Sequence, residues 1–150
     1  MSNDVLRKLQ YKDAGQEVLV MNAPQAYQGV LADFLGDVHT DIIKDTYPFV
    51  QVFGTSNEEI QALARKGAKV LEEDGLFWLC YPKKSSKTYK GSDCSRESVA
   101  GLLAQEGFEP VRQIALDEDW SALRFRHVRH IKSMSRKWAV TKEGKQRTES

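Results

Sequence analysis

The chain has 150 residues, with 22 Lys+Arg against 21 Asp+Glu, 41% hydrophobic and 9% aromatic residues, and two cysteines. At about 100–200 residues per domain this is one domain able to bury its own core, and its composition excludes disorder, collagen and coiled coil. No apolar run approaches the roughly 20 residues of a membrane span and the N-terminus lacks a secretory stretch, so a soluble, cytoplasmic protein with no membrane partner is expected.

Two cysteines, Cys80 in an apolar run and Cys94 in a polar loop, are too few for a disulfide framework or a thiolate metal site. No metal is expected. The balanced charge hides an asymmetry: from Arg124 to Ser150 there are nine Lys+Arg and two Asp+Glu, a net of +7, which leaves −6 on the preceding body. Four lysines, Lys83, Lys84, Lys87 and Lys90, cluster within eight residues of that body. A solvated surface and a solubilising tail explain both clusters more readily than a ligand does.

Residues 5–10 form a short helix or strand leading to a turn at Asp13 and Gly15. Glu17 to Met21 is a buried strand. Pro24 suits a helix N-terminus, and Tyr27, Val30, Leu31, Phe34 and Leu35 then recur at helical spacing until Gly36 and Asp37. Residues 38–47 read as an edge strand or a plain connection. Pro48 to Phe53 is a second strand, and Ser56 or Asn57 caps a helix striped by Ile60, Leu63, Ala64, Val70 and Leu71 and stopped by Gly75. Leu76 to Tyr81 is the most apolar run, predicted as a central strand covered on both faces. After the lysine loop, Ser95 caps a helix carrying Val99, Leu102 and Leu103 and ending at Gly107. Pro110 to Leu116 and Ser121 to Val128 alternate like two strands of a hairpin.

Strands alternating with helices imply right-handed crossovers, and so a single doubly wound, mostly parallel α/β sheet with helices on both faces and one antiparallel strand from the C-terminal hairpin. Such sheets bind ligands beyond the carboxyl ends of their strands, where the strand order reverses. That edge would gather Asn22, Pro24, Gly54, Thr55, Lys83, Lys84, Lys87, Asp117 and Trp120.

The order of elements resembles the Rossmann-like fold of class I S-adenosylmethionine-dependent methyltransferases, shortened by loss of elements after the first helix. More closely, the segments 18–24 (Val-Leu-Val-Met-Asn-Ala-Pro), 76–84 (Leu-Phe-Trp-Leu-Cys-Tyr-Pro-Lys-Lys) and 117–125 (Asp-Glu-Asp-Trp-Ser-Ala-Leu-Arg-Phe) resemble the bacterial family catalogued as domain of unknown function 3052. The resemblance implies a fold and no activity. Methyltransferases of this class need a glycine-rich turn after the first strand and an acid ending the second. Here no glycine precedes Gly29 and the second strand is not readable, so no cofactor is predicted and S-adenosylmethionine is argued against.

No nucleophile with an activating base is visible, and no catalytic residue is named. His39 lies in the unreadable segment, and the antiparallel last strand carries His127 and His130 to the opposite edge. The lysine loop suits a small phosphate-containing ligand. Facing it, the acidic turn of residues 117–119 is either a base, a cation site, a plain hairpin turn or a salt-bridged lid over the lysines. Residues 1–131 are expected to form the Rossmann-like domain and residues 132–150 a flexible basic tail. The expected function is non-catalytic binding of an anion or nucleotide-like ligand at the carboxyl edge. A degenerate methyltransferase-like enzyme is one alternative. Another is nucleic-acid or protein interaction through Arg124, Arg126, Arg129, Lys132, Arg136 and Lys137, with Trp138 for stacking.

Overall fold

Continuous apolar runs in its central strands give this sheet two buried faces, and its strand order follows from the crossovers. In the computed structural model, which describes residues 3–131, six strands lie in the order β2-β1-β3-β4-β6-β5. They are β1 Val18–Met21, β2 Val38–His39, β3 Tyr47–Phe53, β4 Leu71–Pro82, β5 Phe108–Ala115 and β6 Trp120–His127. β1 to β4 are parallel, β6 is antiparallel to β4, and β5 to β6. This is the expected mixed α/β fold with one reversed strand. Among the described residues no helix is long and apolar enough to cross a membrane.

Helices α3 (Asn57–Lys69) and α4 (Arg96–Ala100) cover one face, burying Leu19, Met21, Val50, Val52, Phe77 and Leu79. Helix α1 (Asn3–Lys8) and the segment containing α2 (Gln28–Leu31) cover the other, over Val18, Val20, Phe49, Phe53, Trp78 and Cys80. Odd and even strand positions thus serve different cores. β4 is central, and Phe77, Trp78, Leu79 and Cys80 are fully buried. Ser56 caps α3 by accepting from the Glu59 N–H, and Ser95 with Ser98 forms a reciprocal capping box at α4.

Several local expectations change or are settled, and the helix capped by Ser95 ends at Ala100, with turns rather than helix carrying Leu102 and Leu103 to Gly107. The helix after Pro24 shrinks to a 3-10 turn at Gln25–Tyr27 and one α turn at Gln28–Leu31. Neither start has a side-chain cap, Gly29 weakens the turn, and the Leu35 N–H donates instead to Asp13 Oδ2 at 2.7 Å. Leu35 is consequently 75% exposed, while Phe34 still packs on Tyr11 and Phe49.

Val70 and Leu71 do not extend the α3 stripe. Val70 is the C-cap, its carbonyl accepts from the Tyr47 N–H at 2.7 Å, and Leu71 begins β4 opposite Tyr47. The register then slips, so that Phe49 faces Leu76 with Asp74 at φ 54°, and Gly75 lies inside the strand.

Residues 38–47 do contain an edge strand, Val38–His39, parallel to β1. Tertiary hydrogen bonds order it. His39 Nδ1 meets the Tyr47 hydroxyl at 2.6 Å and His39 Nε2 meets Glu17 Oε2 at 2.9 Å. The Tyr47 hydroxyl also accepts the N–H groups of Ile43 and Lys44, both at 3.1 Å. Lys44 pairs with Glu17 at 3.1 Å and holds its carboxyl below the ordinary value. Finally, the acidic turn is not a lid over the lysines. Asp117 Oδ1 accepts from the N–H groups of Asp119 and Trp120, and Asp119 Oδ1 accepts from Ser86 Oγ at 2.8 Å.

Candidate functional site

The strand order reverses between β1, whose chain turns to β2, and β3 on its other side. At this point Asn22 leaves β1 with φ 65°, and its Nδ2 donates to the Phe53 carbonyl at 2.9 Å. The side chain therefore clasps the ends of β1 and β3. Pro24 follows in extended backbone and starts the 3-10 turn without offering an N–H.

On the α1 side the space above β3 and β4 is filled. Tyr27 is buried, its hydroxyl donates to Gln51 Oε1 at 3.1 Å, and Gln51 Nε2 donates to that hydroxyl at 3.0 Å and to Cys80 Sγ at 3.3 Å. Burial pushes the Tyr27 phenol and the Cys80 thiol well above their ordinary values, so both stay protonated. Trp120 is likewise buried, with its ring edge-on to Phe53 at 5.2 Å and to Tyr89 at 5.0 Å. Both aromatic residues are plugs of the core rather than surfaces offered to a ligand.

On the α3 side the edge is open. A cleft of about 630 Å³ is lined by Met21 and Asn22 from β1, by Thr40, Asp41 and Ile42 just after β2, and by Glu59, Ala62, Leu63 and Lys66 of α3. Asp41, Ile42 and Glu59 were not singled out in the sequence. Position offered a signal for Asp41, which lies twenty residues beyond the end of β1.

Gly54 and Thr55 do not line this cleft. A Cβ on Gly54 would stand 2.5 Å from Ile60 Cγ1, so α3 packs directly onto that turn. The Thr55 N–H donates to Glu59 Oε1 at 2.8 Å. A second cleft, of about 400 Å³, opens at the end of β4 and the start of β6 beside Lys83 and Lys84, and shares no lining residue with the first. Lys87 is exposed and borders neither. Asn22, Lys83 and Lys84 thus line open clefts, whereas Gly54, Asp117 and Trp120, at the same carboxyl edge of the sheet, make structural contacts.

The arginines of β6 do not form a free basic stripe. Arg126 donates twice to Asp74, at 2.9 and 2.6 Å, and Arg129, in the 3-10 turn Val128–His130, donates twice to Glu73, at 3.1 and 3.0 Å. These bonds hold both carboxyls below their ordinary values. Arg124 reaches Gln10 Oε1 at 3.0 Å, and burial lowers its pKa. His130 meets Glu73 at 2.9 Å, at the edge opposite the clefts. Lys132, Arg136, Lys137 and Trp138 lie outside the described residues. Among the described residues no three His, Cys, Asp or Glu side chains gather as a metal set.

No family model matches the chain, and no curated protein matches it. Solved structures do. A SAM dependent methyltransferase from Aquifex aeolicus is similar with a TM-score of 0.63 and 14% identity, over 85% of this chain and 89% of that one. The N-methyltransferase NodS from Bradyrhizobium japonicum is similar at 0.55 and 13%, over 84% and 93% of the two chains. A putative sarcosine dimethylglycine methyltransferase from Galdieria sulphuraria is similar at 0.57 and 11%, over 87% and 84%. At such identities the likeness shows the fold, a Rossmann-like sheet of the methyltransferase type.

Proposed function

We propose that this chain is a non-catalytic binding domain that seats a nucleoside-type ligand in the cleft between β1, β2 and α3, and that S-adenosylmethionine is not its cofactor. One observation carries the reading: Asp41, just past the second strand and twenty residues beyond the first, shares a cleft with Asn22 at the point of strand reversal. In Rossmann-like sheets an acid at that spacing accepts hydrogen bonds from ribose hydroxyls. Met21, Ile42 and Leu63 supply apolar surface for a base, and Lys66 and Glu59 a polar rim.

The amino-acid half of S-adenosylmethionine lacks an equivalent seat. Asn22 is committed to Phe53, Pro24 has no N–H to give, Ile60 closes the turn at Gly54, and Tyr27 and Trp120 fill the opposite side. The likeness of segments 18–24, 76–84 and 117–125 to the bacterial family of unknown function belongs to the same proposal. The methyltransferase neighbours favour a second reading, an atypical methyltransferase.

Calorimetric titration with adenosine, 2′,3′-dideoxyadenosine, S-adenosylmethionine and S-adenosylhomocysteine separates the two. Adenosine should bind, the dideoxy analogue should bind about tenfold or more weakly, and Asp41→Ala should lose the difference. Much tighter binding of S-adenosylmethionine than of adenosine would favour the enzyme, and indifference to Asp41→Ala would refute this seat.

A further inference from the structure

The second cleft holds an unmet hydrogen-bonding group. Tyr81, near the end of β4, is 3% exposed, and its hydroxyl is shielded from water with no hydrogen-bond partner among the described residues. Burial, the largest effect on it, pushes the phenol up to about 12, against the lowering effects of the neighbouring Arg96 and Ser121. At neutral pH Tyr81 is therefore a protonated donor. A buried donor left unsatisfied is unfavourable, and the rarity of such groups in folded chains makes each one informative.

What surrounds it is cationic. Tyr81 lines the 400 Å³ cleft together with Lys83, Lys84, Ser95, Arg96 and Ser121, and Glu97 is the lone carboxylate of that lining. Neither Lys83 nor Lys84 makes an ion pair among the described residues. Along the hairpin, Asp117 is engaged by two backbone N–H groups and Asp119 by Ser86, while Glu118 between them is exposed. The Lys83 N–H donates to the Asp119 carbonyl at 2.8 Å, so the hairpin turn holds the start of the lysine loop in place while leaving the ammonium groups unmatched. A doubly charged anion with several acceptor oxygens answers all of these groups together, and a phosphate monoester carries about −1.5 to −2 at pH 7.

We propose that the cleft formed by the end of β4, the start of β6, the lysine loop and the start of α4 binds a small phosphomonoester, its phosphate held by Lys83 and Lys84 and accepting the Tyr81 hydroxyl. The volume exceeds that of a bare phosphate, and Gln113 and Ser121 on the hairpin offer neutral polar groups to a hydroxylated, sugar-sized remainder. This site is independent of the nucleoside cleft.

Titration of the full chain with inorganic phosphate, ribose 5-phosphate and ribose, followed by backbone amide resonances and calorimetry, tests it. Ribose 5-phosphate should shift amides near residues 83–86, 95–97 and 121 and bind more tightly than inorganic phosphate, and ribose should not bind. The double variant Lys83→Met/Lys84→Met should weaken ribose 5-phosphate by about tenfold or more, and Tyr81→Phe by about tenfold. Tyr81→Phe should melt no lower than the parent, because the free chain loses no hydrogen bond. Excess adenosine should not displace ribose 5-phosphate, which separates failure here from failure at the first cleft. Equal binding of ribose and ribose 5-phosphate, or unchanged affinity in both the lysine and the Tyr81 variants, would overturn the proposal.

Discussion

Replacing Tyr27 by Phe tests whether the α1 side of the strand-reversal point is a sealed plug. The substitution removes one oxygen and leaves the ring against Phe53, where the centroids lie 4.8 Å apart. That oxygen makes two bonds with Gln51, donating at 3.1 Å and accepting at 3.0 Å, and Gln51 is 0% exposed. Its loss strands the amide oxygen and one amide hydrogen away from water. A buried polar group without a partner costs about 1–3 kcal/mol, so Tyr27→Phe should destabilise by about 2 kcal/mol. With a urea dependence of about 1–3 kcal/mol per molar, the unfolding midpoint should fall by about 1 M at unchanged slope. Gln51→Leu alone strands the Tyr27 hydroxyl and should cost a similar amount. Removing both partners leaves no orphan, so the double variant should be more stable than the sum of the single changes implies, by about 2 kcal/mol. Additive losses, or a Tyr27→Phe midpoint equal to the parent's, would mean that the Tyr27–Gln51 pair does not seal this side.

Two further perturbations probe the frame around the clefts. Gly54→Ala should destabilise by about 1–3 kcal/mol in the same unfolding assay, because its Cβ would lie 2.5 Å from Ile60 Cγ1 and force the start of α3 off β3. Arg126→Met should cost about 0.5–1 kcal/mol at pH 7, a value discounted for the partial exposure of the Arg126–Asp74 pair. Arg126 lowers the Asp74 pKa in the folded state, so its contribution is complete above the unfolded value of about 3.9 and is lost as pH falls through the folded one. Parent and variant stabilities compared from pH 6 downward should therefore converge in acid, and a constant gap would exclude the ion pair as its source.

How far the sequence revealed this molecule depended on whether an element is made by its own side chains or by distant ones. The apolar run at residues 76–81 is central because every one of its side chains needs cover, and Ser56 and Ser95 cap because their hydroxyls bond within their own first turn. β2 is only two residues long and is held by His39, Tyr47 and Glu17, contacts that periodicity does not register. Asp41 was missed for that reason, since an acid beyond an unseen strand has no assigned place. Leu35 and Val70 fail in the opposite direction. Their helical spacing is real, but Asp13 and Tyr47 claim the adjoining backbone groups and end each helix early.

The near-neutral total charge resolves in the same way, by asking which groups are matched in space. At the amino edge of the sheet, Arg126, Arg129 and His130 meet Asp74 and Glu73 within 3.1 Å, so the positive charge at the end of β6 is largely answered there. At the carboxyl edge the opposite holds: Asp117 and Asp119 are bonded within the hairpin and to Ser86, while Lys83 and Lys84 have no carboxylate partner within 4 Å among the described residues. Screening at 0.1 M salt confines these effects to about 10 Å, so an arriving anion responds to the local arrangement rather than to the net of the body. A body with a formal surplus of acids can therefore present an attractive face to phosphate where its cations locally outnumber its acids, as Lys83, Lys84 and Arg96 outnumber Glu97 in this cleft. Any substitution that frees Asp119, such as Ser86→Ala, should let that carboxylate compete for the lysines and weaken the same site without touching it.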